Sequence, residues 1–275
     1  MVLDSHQHFW DPRRHHYAWL TDERASIRRP FGPDDLRPVL AANGVDRTIV
    51  VEARSSLEET RELLALADAT DFVAGVIGWV DLAGPDVGST VAALRAGSGG
   101  GHLVGVRHRV REEPDPRRLL RAEVLRGLAA LVDAGLVCDL LVGPRDLAAA
   151  LEAARRLPDL ALVIEHLGAP AVRDGADPAW AAGMGPFSDL PQVSCKVSGL
   201  AVGRSEELAP FVDLVAGWFG EDRLLFGSDW PVCLLAAGYD EILGRFRAVT
   251  AQLPAAAARR VLGANAARVY GLPDG

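Results

Sequence analysis

The chain has 275 residues, a formal net charge of -8 and a 49% share of hydrophobic residues. That length suits one large α/β barrel or two small domains, with enough apolar sequence for a sizeable core. The mild acidity excludes the basic footprint of a nucleic-acid binder, and no apolar run reaches the roughly 20 residues that a membrane-spanning helix needs.

The chain opens on Val2-Leu3-Asp4 with neither a basic nor an apolar leader, so a cytoplasmic location is expected. Short apolar or β-branched runs predict eight strands, at residues 2–6, 47–52, 72–80, 103–108, 136–141, 160–166, 193–197 and 224–227. The connection after the first of these is long, from about Phe9 to Asp34, and carries Trp10, Tyr17, Trp19 and Phe31 with His15 and His16. In a barrel such a loop rises from the face where active sites lie, so its aromatics either wall a pocket or only pin the loop down.

Helical patterns fill the gaps between strands. Residues 97–101, Gly-Ser-Gly-Gly-Gly, read as a flexible loop and lack the Lys and Ser/Thr of a phosphate cradle. Leu119, Leu120, Val124, Leu128, Leu131 and Val132 recur at three- and four-residue spacing, and Gly135 closes that helix. Asp146 is the expected N-cap of a helix over 147–157. Ser205 opens another, with glutamates at nearby capping-box positions. Pro254 starts a last Ala/Arg-rich helix that ends near Tyr270. Cys138, Cys195 and Cys233 are odd in number, far apart and set in apolar runs, which predicts buried reduced thiols.

Eight strands alternating with helices predict a (β/α)8 TIM barrel, with an open doubly wound sheet as the alternative. No G-x-G-x-x-G follows the first strand, which weakens a dinucleotide reading. Neither a repeat nor a linker interrupts the chain, so residues 1–275 are expected to form one domain.

The residues able to carry chemistry sit at strand ends: His6 and His8, Glu52, Trp79, Arg107 to Arg109, His166, Lys196 and Asp229. Alternation along a strand points His6 and His8 the same way. If the first and last strands are neighbours, both imidazoles face Asp229 across the seam. Two histidines facing a carboxylate can bind a metal, or can activate water without one. Lys196 is the only lysine among the 29 basic residues, which marks a position that needs an ammonium or reflects a general bias toward arginine.

Several segments together resemble the amidohydrolase superfamily, specifically the amidohydrolase-related branch that includes sugar-acid lactonases and pyrone dicarboxylate lactonase. They are Asp4-Ser5-His6-Gln7-His8-Phe9-Trp10, Gly78-Trp79-Val80-Asp81-Leu82, Gly105-Val106-Arg107-His108, Glu165-His166-Leu167-Gly168, Cys195-Lys196-Val197-Ser198-Gly199-Leu200, Phe226-Gly227-Ser228-Asp229-Trp230-Pro231-Val232 and Asn265-Ala266-Ala267-Arg268-Val269-Tyr270-Gly271-Leu272. The resemblance implies a distorted barrel with its site at the strand C-termini. It departs from the binuclear members, whose strand-four lysine becomes a carbamate and whose fifth strand supplies a histidine. Here strand four offers Arg107, His108 and Arg109, and strand five offers Val137, Cys138 and Asp139. What remains is a mononuclear site on His6, His8, His166 and Asp229, with zinc the first candidate, or no metal at all.

The expected activity is hydrolysis of a sugar-acid lactone. Asp229 is the general base, while His6, His8 and His166 assist at the oxyanion or the ring oxygen. Arg107, His108, Lys196 and Glu52 are candidates to hold the substrate, and Trp10 or Trp79 can offer a face to a sugar ring. Arg107 and His108 point to opposite sides of a regular strand, so only one of them lines the lumen. A metal-dependent decarboxylase or amide hydrolase is the enzymatic alternative, and a non-catalytic ligand-binding barrel is a third. The expected partner is a small-molecule substrate, with neither nucleic acid nor membrane, and a homo-oligomer is left open.

Overall fold

In the computed structural model, which describes residues 1–172 and 177–273, eight parallel strands hydrogen-bond in sequential order. They are β1 Leu3–Gln7, β2 Arg47–Val51, β3 Val73–Gly78, β4 Leu103–His108, β5 Val137–Leu140, β6 Leu162–Ile164, β7 Val193–Val197 and β8 Leu224–Phe226. Around them lie α1 Pro33–Asn43, α2 Leu57–Asp68, α3 Val87–Ala96, α4 Ala122–Asp133, α5 Leu147–Arg156, α6 Pro178–Met184, α7 Ser205–Phe219 and α8 Tyr239–Val249. This is a (β/α)8 TIM barrel, and every predicted strand segment carries a strand.

β1 and β8 share no regular ladder; the barrel closes through separate bonds along the seam. The Asp229 N–H donates to the His6 carbonyl at 2.8 Å, and the His8 N–H donates to the Trp230 carbonyl at 2.7 Å. Lower down, the fully buried Asp4 carboxylate accepts from Ser228 N at 2.9 Å, His6 N at 3.1 Å and Tyr239 OH at 3.0 Å. One buried acid thus satisfies the donors that a missing ladder would orphan.

The lumen is layered. Leu3, Ile49, Val163 and Leu225 pack at its base against Ala266 and Ala267 of the last helical segment among the described residues and against Tyr270 just after it. That segment is α9 Ala255–Arg259, a π-helical turn Arg260–Ala264 and α10 Asn265–Val269. A charged layer lies above the base, and the strand C-termini open above that. The outer core, between strands and helices, is a separate apolar cluster.

Local details refine the expectation in three places. Asp146 stands at the N-cap of α5, as expected, but its side chain makes no cap bond to the helix: its Oδ2 accepts from Gly143 N at 2.9 Å, and its backbone is already helical. Ser205 opens α7 and a nearby glutamate closes its first turn, as expected, but the N-cap residue is Arg204, whose N–H donates to the Glu207 carboxylate at 2.7 Å. The Gly-rich stretch before β4 is closely packed: a side chain on Gly99, at φ +66°, would collide with the Leu64 carbonyl in α2. All three cysteines are buried and free, as expected. No helix among the described residues is long and apolar enough to cross a membrane.

Candidate active site

Three side chains converge at the top of the seam. His6 Nε2 and His8 Nε2 are 3.1 Å apart, and Asp229 Oδ1 lies 3.6 Å from the first and 3.4 Å from the second. A shift of register in β1 between Asp4 and Gln7 accompanies this placement. Gly227 makes room for it, since a Cβ there would approach His6 Cβ to 2.6 Å. The His166 ring centroid lies 4.6 Å from that of His6. Its Nδ1 is 2.9 Å from Ser198 Oγ, which also accepts the His166 backbone N–H at 3.2 Å. The hydroxyl's single hydrogen is then free for Nδ1, which leaves Nε2–H of His166 as a donor. Both His166 (φ +53°) and Asp229 (φ +58°) occupy the left-handed region, which costs a non-glycine residue roughly 1 kcal/mol or more.

Burial pushes the His6 imidazolium well below its usual range against the pull of Glu165, and burial likewise lowers His166. Both rings are therefore neutral at neutral pH. Burial alone would raise Asp229, but the imidazoles of His166, His8 and His6 outweigh it and hold the carboxyl at about 2. Asp229 is a carboxylate under all ordinary conditions.

Beneath the imidazoles lies the charged layer. Arg107 donates through Nε to Glu52 Oε1 at 2.7 Å, through Nη1 to Glu165 Oε2 at 3.1 Å, and through Nη2 to the Glu52 carbonyl. Arg109 grips both Glu52 oxygens, at 2.8 and 3.0 Å. Lys196 Nζ binds Asp139, and Tyr270 OH reaches both Asp139 oxygens at 2.9 and 3.0 Å. Burial of Glu52 is outweighed by Arg107 and Arg109, which lower its pKa; Glu165 falls well below its range for the same kind of reason.

A cavity of about 390 Å³ opens over this arrangement, walled by His8, Trp19, Arg24, Arg107, His166 and Asp229, among others. Trp19 and Arg24 belong to the long loop after β1, which does contribute to the pocket wall. Of Arg107 and His108, Arg107 faces this cavity. His108 lies on the opposite side of β4 and shares a separate cavity with Trp79, so neither of those two reaches the site. Trp10 is also displaced. Its ring packs edge-on to Trp19 and Phe31, and its Nε1 donates to the carbonyls of Ile27 and Arg29. Trp19 takes the wall position that Trp10 was expected to hold. Lys196 and Glu52 are fully buried and lie under the cavity, held by charged partners, so they do not present themselves to a substrate. Asp139, Glu165 and Tyr270 join the charged layer without being among the sequence candidates. Glu165, beside His166 at the end of an apolar run, was the one with a readable signal.

Among the described residues, His6, His8 and Asp229 form one group able to hold a metal ion, and His6, Glu165 and His166 form a second. A barrel with His-x-His leaving its first strand, an aspartate just past its eighth and a histidine after its sixth defines a hydrolase of the amidohydrolase type. The Amidohydro_2 (amidohydrolase) family model matches residues 3–272, and the chain belongs to that family. It is 37% identical to the L-fucono-1,5-lactonase of Burkholderia ambifaria, an alignment covering 98% of this chain and 94% of that one. It is also similar to the crystal structure of an amidohydrolase from Burkholderia multivorans with bound zinc, at 36% identity and a TM-score of 0.93, covering 99% of this chain and 100% of that chain. A 2,6-dihydroxybenzoate decarboxylase from Rhizobium, at 16% identity and a TM-score of 0.66, covers 98% of each chain and shares the fold alone.

Proposed function

We propose that the protein hydrolyses a sugar-acid lactone of the aldono-1,5-lactone class, opening the ring with water activated by Asp229. The observation that carries this reading is the ionised Asp229 carboxylate, within 3.6 Å of the His6 and His8 imidazoles. Asp229, His8 and His166 line a cavity of a size suited to one small molecule, with His6 buried behind them. The likeness to L-fucono-1,5-lactonases over nearly the whole chain supports the substrate class.

The chemistry follows from the residues in order. Asp229 accepts a proton as the water oxygen bonds to the lactone carbonyl carbon. Arg107 uses three of its five N–H groups on Glu52 and Glu165. The remaining two are available to the developing oxyanion, joined by Nε2–H of His166. When the tetrahedral species collapses, the ring C–O bond breaks and its oxygen takes a proton. Asp229 supplies it readily, because a carboxyl held at about 2 is a strong acid once protonated. The product hydroxy acid then ionises and releases one proton to solvent. Trp19 offers an apolar face to the sugar ring.

The donor set fits a divalent ion. Tetrahedral zinc with bonds of about 2.0–2.1 Å spaces its ligand atoms roughly 3.3 Å apart, close to the 3.1, 3.4 and 3.6 Å separations here. His8 donates through Nδ1 to the Val51 carbonyl at 2.7 Å, which leaves its Nε2 lone pair pointing into the group. His6, His8 and Asp229 would hold the ion, and when bound it would supply Lewis-acid polarisation and a more acidic water. A panel of aldonolactones followed with a pH indicator, with and without chelator, tests the reading. Proton release from 1,5-lactones is expected, and its absence across the panel contradicts the assignment.

A further inference from the structure

His6 Nδ1 has two neighbours of opposite kind. Lys196 Nζ lies 3.3 Å away and Glu165 Oε1 lies 3.2 Å away. An ammonium has hydrogens only to give and a carboxylate has lone pairs only to offer, so the two demand different tautomers of the same ring. If Lys196 donates to Nδ1, the ring hydrogen sits on Nε2 and points at His8 Nε2, 3.1 Å away. His8 in turn donates to Val51. Lysine, His6, His8 and the Val51 carbonyl then form a chain in which each donor meets an acceptor.

If Glu165 instead accepts a hydrogen from Nδ1, His6 Nε2 presents a lone pair. That lone pair faces those of His8 Nε2 and Asp229 Oδ1 with no hydrogen between them, and a cation relieves the crowding. Glu165 Oε1 is in place for this arrangement, having no hydrogen-bond partner among the described residues. The two arrangements hold the same number of protons and differ only in which nitrogen of one ring carries its hydrogen.

We propose that Lys196 is a positioning residue that holds His6 in the Nε2–H tautomer and thereby weakens metal binding at His6, His8 and Asp229. Glu165 favours the opposite, metal-accepting tautomer. The proposal rests on the reading of that group as the reaction centre. It also accounts for the one lysine of the chain. A compact ammonium bound to Asp139 can direct one hydrogen at a ring nitrogen, whereas a planar guanidinium needs a wider set of acceptors.

Two measurements on the full chain test it. The first reads the His6 tautomer in metal-free protein, from two-bond nitrogen–proton correlations of histidine-labelled samples. His6 is expected to be protonated on Nε2 in the native protein and on Nδ1 in Lys196→Met. The second is zinc affinity, by competition with a chromophoric chelator. Lys196→Met is expected to bind zinc about tenfold more tightly than the native chain, and Glu165→Gln about tenfold more weakly. The Glu165→Gln amide keeps its oxygen toward Arg107 and turns its N–H groups to His6 Nδ1. A generally loosened site would shift both variants the same way.

Should Lys196→Met fail to fold, pairing it with Asp139→Asn removes the uncompensated carboxylate and allows the same readings. A native His6 already protonated on Nδ1, affinities moving in one direction, or no zinc binding by any of the proteins would each overturn the proposal. If the tautomer and affinity shifts appear but no aldonolactone is turned over, the lactonase reading alone is removed.

Discussion

Asp229 and His6 are joined through the backbone: the Asp229 N–H donates to the His6 carbonyl at 2.8 Å. The seam that closes the barrel therefore also fixes the proposed base against the first imidazole. The 3.6 Å and 3.4 Å separations of Asp229 Oδ1 from the His6 and His8 rings are set by main-chain bonds across the seam. The left-handed backbone at Asp229, φ +58°, is a local strain the seam sustains.

That backbone shapes the first prediction. Asparagine tolerates the left-handed region as well as aspartate does, so Asp229→Asn should fold with an unchanged thermal midpoint. It should lose on the order of 10²–10⁴ in kcat/KM, the range ascribed to a positioned acid–base group. Circular dichroism and steady-state kinetics on one preparation check both parts.

Arg107 is predicted to matter twice. Arg107→Met strips two fully buried carboxylates, Glu52 and Glu165, of a partner. The fold should lose about 3–5 kcal/mol, visible in urea denaturation. Arg107→Lys keeps a cation but loses the fork. Its kcat is expected to fall by roughly 10²–10³, with a smaller change in stability.

The fully paired hydrogen-bond chain from Lys196 to Val51 predicts the response to chelation. Exhaustive metal removal should leave most of the lactone hydrolysis in place, with added zinc changing kcat by less than about tenfold. Abolition by chelator and rescue by zinc would show that His6 rests in its metal-accepting form.

Glu59 makes stability depend on pH. Its carboxyl is buried, its Oε2 accepts from Ala53 N and Arg54 N, both at 2.8 Å, and burial followed by the nearby Glu52 charge raises its pKa to about 7. A carboxyl raised from 4.5 to about 7 keeps its proton in the folded state after the unfolded chain has released it. The stabilisation is complete below 4.5 and is lost as pH rises through about 7, a change of about 3 kcal/mol. Glu59→Gln should remove that part of the slope. Thermal midpoints of both proteins across this window check it, and Asp139, raised to about 6, contributes equally to each.

The barrel was legible because its strands are short apolar runs between periodic helices, and that signal survives without long-range information. The convergence of His6, His8, His166 and Asp229 was legible because each lies at or just past the C-terminal end of a strand in a fold that gathers strand ends. The failures have a common cause. Trp10 and Trp19 look equivalent in sequence, and only the path of the loop after β1 decides which one meets the cavity. Lys196 and Glu52 face inward as alternation predicts, yet they sit one layer too deep, because Asp139 and Arg107 hold them there. Depth along a strand is set by register between strands, which a single sequence does not display.

The role of Asp229 in lactone hydrolysis is tested most directly by proton release from L-fucono-1,5-lactone, measured for the native chain and Asp229→Asn under identical conditions. Rapid release by the native protein and near-background release by the folded variant are expected. Equal rates from the two proteins, with both shown to be folded, would contradict that role.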